Sequence, residues 1–242
     1  MYFCDMTNKR TEKKTGLAIT EKTKIADLVG NYPNLLLLLP RFGVKLGFGE
    51  HNIGEVCRQY GISPTFFILV CRAYAEPDFK TSPADLKSVS MKDMMAYLKA
   101  SHRYYTMRLP HIERHLNAVI QACEPKLGKT LHNFFDEYKQ EIANHFEYED
   151  KTVFPYIESL MGDNPIKGYN ITQFKQNHSN IEDKLTDLMN ILLKYLPSDI
   201  DEDNRIDLSL HIIEFSADLN SHSIVEENIL MPFVESIENK RP

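Results

Sequence analysis

From Met91 onward, apolar residues return every three or four positions, and alternation at period two is almost absent. That spacing predicts amphipathic helices rather than strands. Four long ones follow, over about 91–123, 129–160, 172–196 and 205–237. Ser90 is a plausible N-cap, with Asp93 three residues on. Pro110 should kink or interrupt the first helix, and Pro155 should distort the last turns of the second. Pro197 stops the third, and Pro232 falls near the end of the fourth. Four long helices with modest loops predict an all-α antiparallel four-helix bundle over residues 90–242.

The preceding chain has a different rhythm. Residues 21–76 read as a small unit of short helices, broken by Pro33, Pro40, Gly43, Gly47, Gly49, Gly54, Gly61 and Pro64. Residues 77–89, with Pro77 and Pro83, read as a linker. Residues 1–20 read as a disordered tail whose basic cluster, Lys9 to Lys14, is solvated. The run Leu35 to Pro40 is too short to cross a bilayer and reads as a buried helix face.

The stripes predict which side chains share the bundle interior. On the first helix they run through Met91, Met95, Leu98, His102, Tyr105 and Leu109. On the second they include Phe135, Tyr138, Ile142, His145, Glu149 and Val153. The third carries Ile171, Phe174, His178, Ile181, Leu185 and Leu188; the fourth carries Leu208, Phe215, Leu219, His222, Glu226 and Ile229. Each helix therefore places one histidine in its core face, and two add a glutamate one turn later.

Those two glutamates lie in one repeated frame, HFEYEDKTVFP (145–155) and HSIVEENILMP (222–232). Both keep a His, a Glu four residues on, an acidic residue next, and a Pro ten after the His. A buried carboxylate needs a partner or a metal. Four histidines and two glutamates on inward faces predict a dinuclear metal site, against the blander reading of an ion-paired core. His102, His145, His178 and His222 would supply imidazoles, and Glu149 and Glu226 would bridge. Nitrogen and carboxylate donors suit iron or manganese, with zinc also compatible. Asp150 and Glu227, the acidic neighbours in the frame, read as solvent-facing charges, with a supporting role beside the ligands as the alternative. His51, His111, His115, His132 and His211 read as surface residues: His111 and His115 face away from His102, and His211 lies about three turns from His222.

Composition trims the alternatives. The chain has 242 residues and a net charge of −6, which disfavours non-specific nucleic-acid binding. The four cysteines form no C-x-x-C pair, and the N-terminus has no signal-peptide pattern, so a reducing, cytoplasmic setting is expected.

The segments SHRYYTMRLP (101–110), HFEYEDKTVFP (145–155), QNHSNIEDKL (176–185) and HSIVEENILMP (222–232) resemble the hemerythrin-like di-iron proteins that repair iron–sulfur clusters, the RIC family of YtfE and ScdA type. The resemblance spans about 23–238. It implies a di-iron centre, oxo- or hydroxo-bridged, on the same six residues. It also implies a stress-response role in restoring clusters damaged by nitric oxide or oxidation, through iron donation or nitric oxide reduction. Implied partners are iron–sulfur client proteins, with nitric oxide or dioxygen as small ligands and a homodimer as a candidate assembly. Neither nucleic acid nor membrane is expected as a partner.

LPRFGVKLGFGEHNIGEVC (39–57) resembles the family's small N-terminal domain, yet Gly47 and Phe48 stand where that domain usually carries a Cys-Cys pair. Cys57 and Cys71 read as core residues. Two other functions compete: an oxygen- or nitric-oxide-binding sensor without repair activity, and a DNA-binding regulator. Residues 52–74 have helix-turn-helix cadence, but Thr65 to Val70 offers almost nothing to contact bases.

Overall fold

The computed structural model describes residues 17–240 apart from 163, 179, 180, 182 and 199. Most of the expected tail, residues 1–16, lies outside the described residues, as does Cys4. The described chain is helical, with one isolated β-bridge between Lys24 and Asn52.

The first unit comprises α1 (Ile25–Asn31), two 3₁₀ turns (Pro33–Leu36 and Leu39–Phe42), α2 (Ile53–Tyr60) and α3 (Pro64–Ala75). Asn52 begins α2 with a reciprocal capping box to Glu55, which satisfies two otherwise unpaired amides. The leucine run forms no single helix face. Pro33 and Pro40 each start a 3₁₀ turn instead, burying Leu35, Leu38 and Leu39 and leaving Leu36 half exposed. In α3, Phe66, Phe67, Leu69, Val70, Cys71 and Tyr74 are buried, so this helix faces the core.

The segment read as a linker is tethered. It holds the short helix α4 (Pro83–Lys87) and buries Phe79. Thr81 donates its hydroxyl to the Asn228 carbonyl at 2.5 Å. Pro232, four residues beyond Asn228, has no N–H to give that carbonyl, and Thr81 replaces it.

The bundle comprises α5 (Met91–Gln121), α6 and α7 (Pro125–Tyr148, Phe154–Ser159), α8 and α9 (Ile171–Asn177, Asp183–Asn190), and α10 and α11 (Glu202–Val225, Met231–Glu238). Neighbouring helices run antiparallel. His102 meets Glu149 while Glu113 meets Lys139, and Arg108 meets Glu214 while His115 meets His211. Helix α5 passes through Pro110 without interruption. Ser90 caps it, accepting from the Asp93 amide, while the Asp93 carboxylate accepts from the Ser63 amide in the first unit.

Two departures from regular helix matter for the site. Glu149–Val153 and Glu226–Leu230 are π-turns, each closed by an i→i−5 bond: Phe154 N–H to the Glu149 carbonyl, and Met231 N–H to that of Glu226. The proline just beyond each turn cannot donate, and its ring would crowd the carbonyl four residues back; the wider turn relieves both. The third helix also breaks where continuity was expected. Helix α8 ends at Asn177, and His178 is extended (φ −67°, ψ 119°).

Two apolar clusters fill the protein. One joins the first unit (Leu28, Leu38, Phe66) to one end of the bundle (Leu98, Phe154, Leu230). The other fills the far end with residues such as Leu116, Phe135, Leu185 and Phe215. The first unit is therefore docked on the bundle. Among the described residues, no helix is long and apolar enough to cross a membrane.

Candidate metal centre

Between the two apolar clusters lies a polar layer. Glu149 and Glu226 are 0% exposed, and His102 and His222 are buried. His145 and His178 complete the layer, their side chains only 10% and 3% exposed. All six sequence-predicted residues meet here. They form two overlapping groups, His102, Glu149, His222 and Glu226, and His145, Glu149, His178 and Glu226. Within each group, one donor atom per residue lies within 4.8 Å of the others. Both carboxylates belong to both groups, as bridges between two cations would.

The close contacts are mostly not hydrogen bonds. His102 Nε2 lies 2.9 Å from Glu149 Oε2, His145 Nε2 lies 3.1 Å from Glu149 Oε1, and His222 Nε2 lies 3.3 Å from Glu226 Oε1. Yet His102 Nε2, both Glu149 oxygens, His222 Nε2 and Glu226 Oε1 have no partner in hydrogen-bonding geometry. The exception is His178 Nε2 with Glu226 Oε2, at 2.9 Å. Unpaired buried carboxylate and imidazole atoms are costly. Donors that approach closely without bonding each other have lone pairs converging on a shared space. The residues therefore fit a pair of metal ions better than an ion-paired core.

Electrostatics agree. Burial works against charge on His102, but the hydrogen bond to Asp150, the close Glu149 carboxylate and the charge of Glu226 outweigh it, raising its pKa to about 9. His178 is likewise raised to about 9: burial opposes, and the Glu226 hydrogen bond and surrounding carboxylates prevail. His145 shifts upward for the same reasons. Burial would raise Glu226, but His222 and His178 hold it well below the usual carboxylate range. The site demands positive charge, whether protons or cations.

The repeated frame gains a third working member. Asp150 does not simply face solvent: its Oδ1 is 3.0 Å from His102 Nδ1 in hydrogen-bonding geometry. Glu227 Oε1 stands 3.7 Å from His178 Nδ1, a looser version of the same relation. The acidic residue after each of the two glutamates thus stands beside a histidine of a neighbouring segment. Such a carboxylate fixes the tautomer, leaving Nε2 free for metal. Both carboxylates remain about half exposed, as expected, with side chains 48% and 50% accessible; what phase on their own helices leaves out is the ring that approaches from the next segment. Aromatic rings wall the site: Phe146 stacks on His102 at 4.2 Å, and Phe174 lies edge-on to His178 at 5.3 Å.

Residues 93–234 match the family described as hemerythrin HHE cation-binding domain. The chain belongs to this family. The match covers more than half the sequence and every member of the polar layer. A search of curated proteins returns no match. This hemerythrin-family chain is thus a metal-binding helical bundle with a docked N-terminal unit.

The other histidines stand outside the centre. His51, His111 and His132 are exposed, His132 pairing with Asp136 at 3.1 Å. His115 and His211 are partly buried on facing helices, ring centroids 4.7 Å apart. Cys57 and Cys71 are buried; burial pushes the Cys57 thiol up to about 12 and raises that of Cys71 well above its ordinary value. Neither is poised to react. Sequence reasoning missed a buried pair altogether, Arg41 of the first unit with Asp218 of α10. A phase count could have placed Asp218 inside, one turn before His222; nothing local marked Arg41.

Proposed function

We propose that this protein holds two iron ions and serves in the repair of iron–sulfur clusters damaged by nitric oxide or oxidation. The observation that carries the metal part is the pair of four-residue groups sharing both glutamates. His102 and His222 would serve one ion, His145 and His178 the other, with Glu149 and Glu226 between them. Bound there, a ferrous pair supplies electrons and open positions for a small ligand such as nitric oxide or dioxygen. The chain's own part is to hold the His102 tautomer through Asp150, exclude water with Phe146, Phe154 and Phe174, and balance two buried negative charges. The repair role is supported by resemblance in the four ligand-bearing segments and in the N-terminal unit.

The test has two stages. Protein purified from iron-supplied cells should contain about two irons per chain, the number two bridged groups accommodate, with oxo-bridge absorption in the near ultraviolet. The reduced protein should then bind nitric oxide anaerobically and speed recovery of a nitrosylated cluster enzyme. Failure to bind nitric oxide refutes its reduction here. Binding without faster recovery favours a second reading, a nitric-oxide- or oxygen-binding sensor. One observation favours that alternative: with Gly47 and Phe48 at the family's cysteine positions and Cys57 and Cys71 buried, residues 21–76 offer no reactive thiol for metal transfer.

A further inference from the structure

Away from the core centre, a second pair of histidines faces across two antiparallel helices. His115 on α5 and His211 on α10 are partly buried, with ring centroids 4.7 Å apart and planes tilted by 41°. Helix α5 is continuous from His102 to His115, which sets the pair about 20 Å along the bundle from the core centre. The two places share no donor.

Among the described residues, neither ring takes part in a hydrogen bond or an ion pair. The charges around them are mixed. Arg108, two turns before His115, approaches Glu214 of α10 at 3.4 Å. Burial and the charges of His115 and Arg108 lower the His211 pKa, while Glu214 and Asp207 work the other way. His211 is therefore neutral at pH 7. A neutral imidazole keeps a lone pair on one ring nitrogen, the form that binds a metal.

The spacing suits one shared ion. Metal–imidazole bonds of about 2.0–2.1 Å put a bound ring's centroid about 3.2 Å from the ion. Two such rings with centroids 4.7 Å apart subtend about 95° at that ion, between the angles of octahedral and tetrahedral coordination. The pair is also closer than the histidines assigned to a common ion in the core, at 5.6 Å for His102 with His222 and 5.7 Å for His145 with His178. Two uncharged nitrogens select the metals that favour imidazole, such as zinc, nickel or copper, over magnesium and calcium, which take oxygen.

We propose that His115 and His211 form a second metal site, a two-imidazole clamp across α5 and α10 for a divalent transition cation such as zinc, with water in the remaining positions. Unlike the core centre it has no carboxylate among its donors, and with two protein ligands it exchanges its ion readily. It ties together two helices that carry core ligands, His102 and His222.

The test titrates zinc into the iron-loaded full chain by calorimetry and follows the histidine ring signals by NMR. It compares wild type with His115→Ala, His211→Phe and His111→Ala. His211→Phe keeps the ring contact and removes the nitrogens; His111 is exposed one turn before His115. Wild type and His111→Ala should each bind one zinc equivalent more than His115→Ala and His211→Phe, and the His115 and His211 signals should shift together. Core iron should be retained in all four. Equal zinc in wild type and His211→Phe would mean adventitious surface binding only and would overturn the proposal, as would movement of one of the two ring signals alone. Zinc lost in His111→Ala and kept in His211→Phe would place the ion on the α5 pair instead, also overturning the clamp. Should His115→Ala fail to fold, His211→Phe carries the same comparison. If the chain takes up no iron, the core reading fails, while the zinc difference between wild type and His211→Phe still decides the clamp.

Discussion

Stripping the metal should make this protein's stability depend on pH in a characteristic way. His102 and His178 have pKa values raised from 6.5 to about 9 among the buried carboxylates. A raised histidine pKa means the native state binds the proton more tightly than the unfolded chain. Its contribution is fully present below about pH 6.5 and disappears as pH rises through 9. At about 1.4 kcal/mol per pKa unit, each histidine contributes about 3 kcal/mol. The two together contribute less than twice that, because both draw on Glu149 and Glu226. Even so, the sum rivals a large share of a domain's stability, about 5–15 kcal/mol. The urea midpoint of chelator-treated protein should therefore fall steeply between pH 6.5 and 9. Metal reverses the trend, since metal and proton compete for the same nitrogens. Iron uptake at pH 7.5 should release about two protons per chain, one from each of these histidines. Calorimetry in two buffers of different ionisation enthalpy counts them. A flat urea midpoint across that range in the metal-free protein, or uptake without proton release, would refute the electrostatic argument.

Other substitutions separate the roles of neighbouring residues. His145→Ala and Glu226→Ala should lose metal, and His115→Ala should retain it; equal metal content in all three would sink the assignment of the site. Asp150→Ala should weaken metal retention about 10- to 100-fold by freeing the His102 tautomer, whereas Glu227→Ala, whose contact is 3.7 Å, should cost distinctly less in the same chelator assay. Thr81→Val should lower the unfolding free energy from urea titration by about 1–3 kcal/mol, leaving the Asn228 carbonyl without its donor; no change would mean water or backbone replaces the hydroxyl. Cys57 and Cys71 should react with a thiol reagent only on unfolding, and rapid labelling of either in folded protein would show that the first unit opens.

Much of this was legible along the chain because helical phase is a local property. Met95, Leu98, His102 and Tyr105 repeat on one face whatever else the chain does, and all are buried. The six inward donors follow from the same count. What the count could not supply was anything depending on a second helix. Asp150 reaches a histidine of α5, and Arg41 meets a carboxylate 177 positions away in sequence. Nor does phase reveal a helix that stops: Ile171, Phe174 and Leu185 are buried as the stripe predicts, though α8 ends at Asn177 and α9 begins at Asp183. Pro155 foretold a disturbance without its form, a widened turn beginning at Glu149.

Those two widened turns bear on how the chain tolerates change in length. Each sits where a helix passes from the metal layer into the apolar cluster shared with the first unit. Adding a further residue there, after Lys151 or Asn228 for instance, would turn everything beyond by about 100°. Phe154 and Ile157, or Met231 and Val234, would leave the core they fill, while the histidine and glutamate upstream kept their places. The same insertion in the exposed 164–168 stretch between α7 and α8 would fall on a surface connection of the kind that absorbs length changes. Descendants of this sequence should therefore vary in the length of that loop and keep the ten-residue interval from histidine to proline intact.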